Sequence, residues 1–244
     1  MSDKNLAKID AKDLEFSALN DIIRESGDCI IDNACGQRFI AAGMSYRDIK
    51  ITGTPGNALG AYLNGGSIEV FGNAQDAVGD TMNAGTIIVH GSIGDAAGYA
   101  MRGGEIYVKT DAGYRAGIHM KAYRDTIPVM VIGGRTGSFL GEYQAGGLII
   151  VLGLNTDGKP IVGNFPCTGM HGGKLFLRSD CRDIIFPKQV TARPAAQDDL
   201  KEIEKHVKKY CELYDADFDE IMSSDFTVVT PDSKNPYKQM YVQN

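Results

Sequence analysis

The chain has 244 residues, of which 23% are charged, and its formal net charge is −6 at neutral pH. It lacks the basic balance that a nucleic-acid-binding face needs, and no apolar run is long enough for a transmembrane helix, so we expect neither nucleic acid nor a membrane as partner. No signal-peptide core is visible, and the five cysteines are odd in number and scattered, which is typical of a cytoplasmic protein with free thiols.

The first predicted element is a short helix at residues 17–27, "SALNDIIRESG". Ser17 is expected to be its N-cap and Gly27 to end it, because Ser favours the first position of a helix and Gly the position after the last turn. Residues 1–27 are therefore interpreted as an N-terminal segment that caps one end of the fold.

A repeat of 19 residues dominates the middle of the chain. Each unit opens with alternating apolar residues, as in a strand with one buried face, and continues with glycines and small residues. No unit contains a crossover helix or a hairpin signal, so each strand must stack on its equivalent in the previous unit. The aligned apolar positions include Ile49, Ile68, Ile87 and Ile106, and also Leu63, Met82, Met101 and Met120.

The fold class that this repeat predicts is all-β, a right-handed parallel β-helix of about seven turns over residues 28–190, with helical caps. The 30 glycines of the chain follow the same period, which favours architectural glycines over one phosphate-binding loop. We expect Gly79 and Gly98 to have positive φ or to contact a neighbouring turn.

The C-terminal extension, residues 191–244, is expected to be helical and to end in a loose tail. Apolar residues at helical spacing predict a helix over 197–214, with acidic residues near its start as the helix dipole favours. A second short helix is expected to begin at Asp217, with Glu220 completing a capping box, and a strand is expected within Asp225–Pro231.

No catalytic, cofactor-binding or metal-binding motif stands out in the chain. No Gly-x-Ser-x-Gly elbow occurs, and none of the four histidines falls near a serine or cysteine in a recognised catalytic arrangement. The spacing of Cys29 and Cys35 does not fit a zinc or iron–sulfur knuckle. The polar residues of interest are Asn73, Asp76 and Asp95. They either cap turns through bonds to the backbone or contact a partner protein.

Several segments resemble the C-terminal GXGXG domain of glutamate synthase large subunits. They are "ACGQRFIAAGM" at 34–44, "FGNAQDAVGDTMNAG" at 71–85, "GEYQAGGLIIVLG" at 141–153, "GNFPCTGMHGG" at 163–173 and "LKEIEKHVKKY" at 200–210. The resemblance covers about residues 28–230. It implies a right-handed β-helix that carries no catalytic residue and packs against the glutaminase and FMN domains of the synthase.

The resemblance implies a non-catalytic scaffold subunit of a glutamate-synthase-like complex. Its expected partners are a class II glutamine amidotransferase-type subunit and an FMN-binding synthase-type subunit, which would hold the FMN and the iron–sulfur cluster. A homo-oligomer of this chain is also possible. The GXGXG subunit of N-methylglutamate synthase or of formylmethanofuran dehydrogenase is an alternative, and a freestanding hydrolase or esterase is a second. The docking surface is expected to include Asn73, Asp76 and Asp95.

Overall fold

The computed structural model describes residues 6–233, and its main feature is one sheet of eleven strands. The strands are β1 (Ala7–Asp10), β2 (Cys29–Cys35), β3 (Arg47–Thr54), β4 (Asn64–Phe71), β5 (Ala84–Val89), β6 (Glu105–Val108), β7 (Val129–Ile132), β8 (Ala145–Val151), β9 (Gly172–Leu177), β10 (Val190–Pro194) and β11 (Thr227–Pro231). The helices in this range are α1 (Phe16–Ser26), α2 (Gln197–Tyr214) and α3 (Phe218–Met222).

Strands β1 to β9 follow one another in the sheet in chain order, and each is parallel to the strand before it. The chain therefore coils, and the predicted parallel β-helix is confirmed. It has about eight turns where about seven were expected. The coil begins earlier than the repeat suggested, because β1, inside the expected capping segment, already pairs with β2.

The register of the strands follows the sequence repeat. Ile49 aligns with Ile68, Ile87 and Ile106 on successive strands, and these side chains are almost fully buried. The alignment continues through Met130, Ile149 and Leu175, although the repeat lengthens there. Leu63, Met82, Met101 and Met120 are buried as expected. One continuous apolar core therefore fills the coil.

Each turn between β2 and β9 also contains a segment in which every second residue has a left-handed backbone. In one turn these residues are Ala77, Gly79 and Thr81, with φ of 57°, 67° and 52°. The Ala77 and Thr81 N–H groups donate to the next turn, whereas the Gly79 N–H donates to Leu59 O of the previous turn at 2.9 Å. Hydrogen bonds in both directions hold even residues with a Cβ in this unfavourable conformation.

The N-terminal end of the coil is covered by α1. Its buried Leu19 and Ile23 pack on the first turns, and Gly27 ends the helix with φ of 78°, as predicted. The prediction of Ser17 as N-cap was wrong, since the helix begins at Phe16 with Glu15 as its N-cap and Ser17 lies inside it. Asn20 explains the placement: its amide donates to Phe16 O, and its Oδ1 accepts the Ala41 N–H of the coil. The C-terminal end is closed by β11, which pairs antiparallel with β9, and by β10, which pairs antiparallel with β11.

Helix α2 has the predicted bounds, but it lies along the outside of the sheet rather than across its end. Alternate residues of β6 to β9 point outward, and Val131, Ile150 and Phe176 among them are buried with Val207 and Tyr210 of α2 in a second core. The expected short helix is α3, where Asp217 Oδ1 accepts the Glu220 N–H at 2.9 Å. The expected strand is β11. The tail beyond residue 233 lies outside the described residues.

Candidate functional site

The three residues expected at a partner interface lie on one edge of the coil, just after the strands. Asp76 Oδ1 accepts the Asp95 N–H at 2.9 Å, and Asp95 Oδ1 accepts the Tyr114 N–H at 2.8 Å. Asn73 Oδ1 accepts the Ser92 N–H at 2.9 Å. The interpretation as side-chain-to-backbone caps is confirmed. Each hydrogen bond joins one turn of the coil to the next, however, rather than capping a turn within its own segment. Their docking role stays a prediction.

The repeated glycines are required by these close contacts. A Cβ on Gly113 would overlap the carboxylate oxygen of Asp95 that bonds the next backbone N–H. Gly79 and Gly98 have φ of 67° and 65°, and a Cβ on Gly79 would lie 2.6 Å from Ile106 Cδ1. The expectation of positive φ and of close neighbouring turns is therefore confirmed. Backbone conformation and packing together explain these glycines.

An exposed aromatic surface lies next to this polar edge, on the later turns of the coil. We call it the aromatic face. It consists of the exposed residues Tyr99, Arg115, His119 and Phe165 and the half-buried residues Phe139 and Tyr143. His119 stacks on Tyr143 with ring centroids 5.3 Å apart, and Tyr99 meets His119 edge-on at 5.8 Å. Exposed aromatic clusters of this kind mark docking surfaces, because large rings in water are the side chains that interfaces favour.

A second aromatic row runs beside the first within the aromatic face. Phe139 and Phe165 lie 5.3 Å apart, and the Arg115 guanidinium lies over the Phe139 ring at 4.8 Å. Arg115 also pairs with Glu142 at 3.1 Å. Phe165 remains 62% exposed. The equivalent positions are Ala58, Ala77 and Ala96 on the three turns before Arg115, and these alanines separate the aromatic face from the exposed Phe39, which occupies that position one turn earlier still.

A hydrogen-bonded polar cluster lies under α2. Glu105 lies 3.3 Å from His206 Nδ1 and 2.6 Å from Lys209 Nζ. The His206 hydrogen bond lowers the pKa of Glu105 most; burial raises it, the Lys209 contact lowers it further, and the net pKa is about 2. Tyr107 also donates to this carboxylate at 3.2 Å. The cluster joins α2 to the outer face of β6 and is explained by that structural role.

The other histidines and the cysteines show no nucleophilic arrangement. His90 lies 2.8 Å from Glu69 and stacks on Phe71, and His171 faces Gly169 O. Within residues 6–233, no histidine hydrogen-bonds a serine or cysteine. The five cysteines are free, and burial raises the pKa of Cys29 to about 11, which disfavours its thiolate.

Among the described residues, no group of three His, Cys, Asp or Glu side chains is placed to hold a metal ion. In the same part of the chain, every helix is too short or too polar to cross a membrane.

Comparisons with known proteins agree with this architecture. The family model of the GXGXG motif matches residues 7–232, nearly the whole described range. An uncharacterized protein of Methanocaldococcus jannaschii is 41% identical over 248 residues, and the alignment covers 96% of this chain and 95% of the relative. The match includes the coil, α2 and β11. The chain therefore belongs to the GXGXG motif family, the family of the C-terminal domain of glutamate synthase large subunits.

Proposed function

We propose that this chain is a non-catalytic scaffold subunit of a cytoplasmic glutamate-synthase-like complex. It binds a class II glutamine amidotransferase-type subunit and an FMN-binding synthase-type subunit and holds their active sites in register. FMN and the iron–sulfur cluster belong to those partners. Membership of the GXGXG motif family supports the kind of complex, and the exposed aromatic face is the observation that carries the docking role.

The dimensions of the coil suit a spacer. Successive parallel strands lie about 4.8 Å apart, so about eight turns give a rod roughly 40 Å long. The rod is stiff because hydrogen bonds join each turn to both neighbours and a continuous core fills it. Such a body fixes the distance and orientation of two partners that bind its sides, as transfer of ammonia between two active sites requires.

The polar edge supplies a rim for the aromatic face. Asp76 and Asp95 each use Oδ1 to bond the next turn, which leaves Oδ2 exposed for a donor on a partner. Asn73 likewise uses its oxygen and keeps its amide N–H₂ at the surface. An aromatic centre with a polar rim is the usual composition of a protein–protein interface. We therefore keep these three residues in the proposed docking surface.

The proposal is tested by changing the aromatic face without disturbing the coil. Phe139 and Phe165 have φ of 63° and 59°, and Asn is among the residues that tolerate such a backbone, so the variant is Phe139→Asn/Phe165→Asn. Tyr46→Asn is the matched control, because Tyr46 has φ of 54° and is 82% exposed, outside the aromatic face.

Each variant is co-expressed with an amidotransferase-type and an FMN-binding synthase-type subunit from the same organism, and the complex is measured by size-exclusion chromatography with light scattering. We expect the double variant to lose the complex at unchanged melting temperature and the Tyr46 variant to keep it. If both variants assemble like the wild type, the aromatic face is not the docking surface.

A further inference from the structure

One turn of the coil carries extra residues that fold back over its neighbour. Equivalent backbone-capping positions are 19 residues apart between Asp76 and Asp95 but 24 apart between Asp111 and Arg135. The extra residues form a tight turn in which Tyr123 and Thr126 exchange backbone hydrogen bonds at 3.1 Å. Thr126 Oγ1 also donates to Arg102 O at 3.1 Å, so the tight turn is fastened to the preceding turn of the coil.

Three polar side chains stand in a row on the surface beside this tight turn. They are Asn64, Asn83 and Arg102, which occupy the same position on successive turns. The Asn83 N–H donates to Leu63 O and the Arg102 N–H to Met82 O, both at 2.8 Å, which fixes the row. Neighbouring members are therefore separated by about 4.8 Å, the spacing of adjacent strands.

The tight turn and the polar row line an open cleft with a volume of about 740 Å³. We call it the arginine cleft, and its lining includes Tyr62, Asn64, Asn83, Arg102, Tyr123 and Arg124. Its volume lies within the roughly 300–1,000 Å³ that is usual for small-molecule sites. The cleft does not include any residue of the aromatic face.

The charged groups of the arginine cleft are unpaired. Within residues 6–233, neither Arg102 nor Arg124 forms an ion pair, whereas Arg115, Arg178 and Arg193 each contact a carboxylate. The side-chain amides of Asn64 and Asn83 have no hydrogen-bond partner in the same range. The Arg124 guanidinium rests over the Tyr123 ring at 5.2 Å, which holds it at the cleft wall.

We propose that the arginine cleft binds a small-molecule oxyanion, a phosphate or carboxylate group carried by a metabolite. Arg102 and Arg124 supply planar donor groups that match such oxyanions, and Asn64 and Asn83 supply further N–H donors. Two guanidinium groups without a counter-ion attract an anion even on a chain whose net charge is −6. Asp125, at the edge of the cleft, is the one carboxylate in its lining and opposes the anion.

The test is isothermal titration of the full chain with inorganic phosphate and, separately, with malonate at low ionic strength. We expect saturable binding of at least one of them. Arg102→Gln and Arg124→Gln should each weaken it at least about fivefold, since each removes a charged hydrogen-bond donor. Asp125→Asn should tighten it, because it removes the opposing charge.

Arg182→Gln is the matched control, because it removes the same charge from a side chain that is 84% exposed and paired with Asp180, outside the cleft. A localised site is supported if the affinity of this control stays within about twofold of the wild type and all variants keep the wild-type melting temperature. The preferred probe then identifies the oxyanion. The proposal is overturned if the wild type binds neither probe, or if Arg182→Gln weakens binding as much as the cleft variants do.

Discussion

Gly79 tests whether packing between turns, rather than backbone conformation alone, requires the repeated glycines. Gly79 and Gly43 have the same φ of 67°. A Cβ on Gly43 meets nothing within 4 Å, whereas a Cβ on Gly79 would lie 2.6 Å from Ile106 Cδ1 and 3.5 Å from Ile87 Cδ1. Both isoleucines are fully buried, so neither can move aside freely. Gly43→Ala therefore measures the backbone cost alone, and Gly79→Ala adds the steric overlap.

The expected magnitudes differ clearly between the two variants. Left-handed strain costs about 1–2 kcal/mol, and the loss of unfolded-state freedom offsets about 0.4–1 kcal/mol of it, so Gly43→Ala should destabilise the chain by about 1 kcal/mol. Overpacking adds about 1–3 kcal/mol, which brings Gly79→Ala to about 2–4 kcal/mol. A loss of 1 kcal/mol lowers the melting temperature of a chain this long by about 2–4 °C. The melting temperature should therefore fall by about 2–4 °C in Gly43→Ala and by about 5–15 °C in Gly79→Ala.

A double-mutant cycle identifies the atom responsible. Ile106→Val removes Cδ1, the atom nearest to the new methyl group, so it should relieve part of the cost of Gly79→Ala. We expect a favourable coupling of about 1–2 kcal/mol, measured by urea unfolding of both single variants and the double variant. Equal melting temperatures for the Gly43 and Gly79 variants, or a coupling near zero, would refute the packing explanation.

Three further predictions follow from the polar contacts. Glu105 has a pKa of about 2 against an ordinary 4.5, so the stability that its carboxylate contributes is complete above about pH 4.5 and is lost as the pH falls toward 2. Glu105→Gln should therefore cost about 1–3 kcal/mol at pH 7 and flatten this part of the pH–stability curve, measured by denaturant titration at each pH. Asp76→Ala/Asp95→Ala should lower the unfolding free energy by about 1–3 kcal/mol, because two backbone N–H groups lose their acceptors. Tyr214→Phe should cost about 1 kcal/mol by thermal melting, since the Tyr214 hydroxyl donates to Val89 O and Tyr107 O. Tyr46 is 82% exposed, so the control Tyr46→Phe should cost nothing measurable.

The coil itself was predictable because its interior repeats. Ile49, Ile68 and Ile87 occupy one position of the same unit, so a fixed step in sequence becomes a fixed step in space. Strand β1 was missed because its four residues include only one fully buried side chain, too short a pattern to show alternation. The cap of α1 was missed because Asn20 anchors that helix through a contact with Ala41, which is distant in sequence.

The position of α2 could be inferred only in part. Its helical spacing shows that one face is apolar but not which surface that face covers. The sequence feature that indicates this surface is the uninterrupted apolar runs "VMVI" and "LIIV" of β7 and β8, which are typical of strands that are buried on both sides. These runs indicate that something packs on the outside of the later turns.

The aromatic face was not predictable from backbone preferences. Arg115, Phe139 and Phe165 all have left-handed φ, which residues with a Cβ avoid in isolation. Hydrogen bonds from the adjacent turns stabilise this conformation, as where Phe139 N–H donates to Asn164 O at 2.8 Å. Their alignment was also hidden in the sequence, because the repeat lengthens beyond its 19-residue step in this part of the chain.

The central claim is that this chain holds two enzymatic subunits together, and reconstitution tests it most directly. The amidotransferase-type and FMN-binding synthase-type subunits are purified separately and mixed with and without this chain, and the mass of the assembly is measured by analytical ultracentrifugation. The proposed function predicts a single species that contains all three chains and forms only when this chain is present. Assembly of the two partners without it, while this chain sediments alone, would contradict the claim.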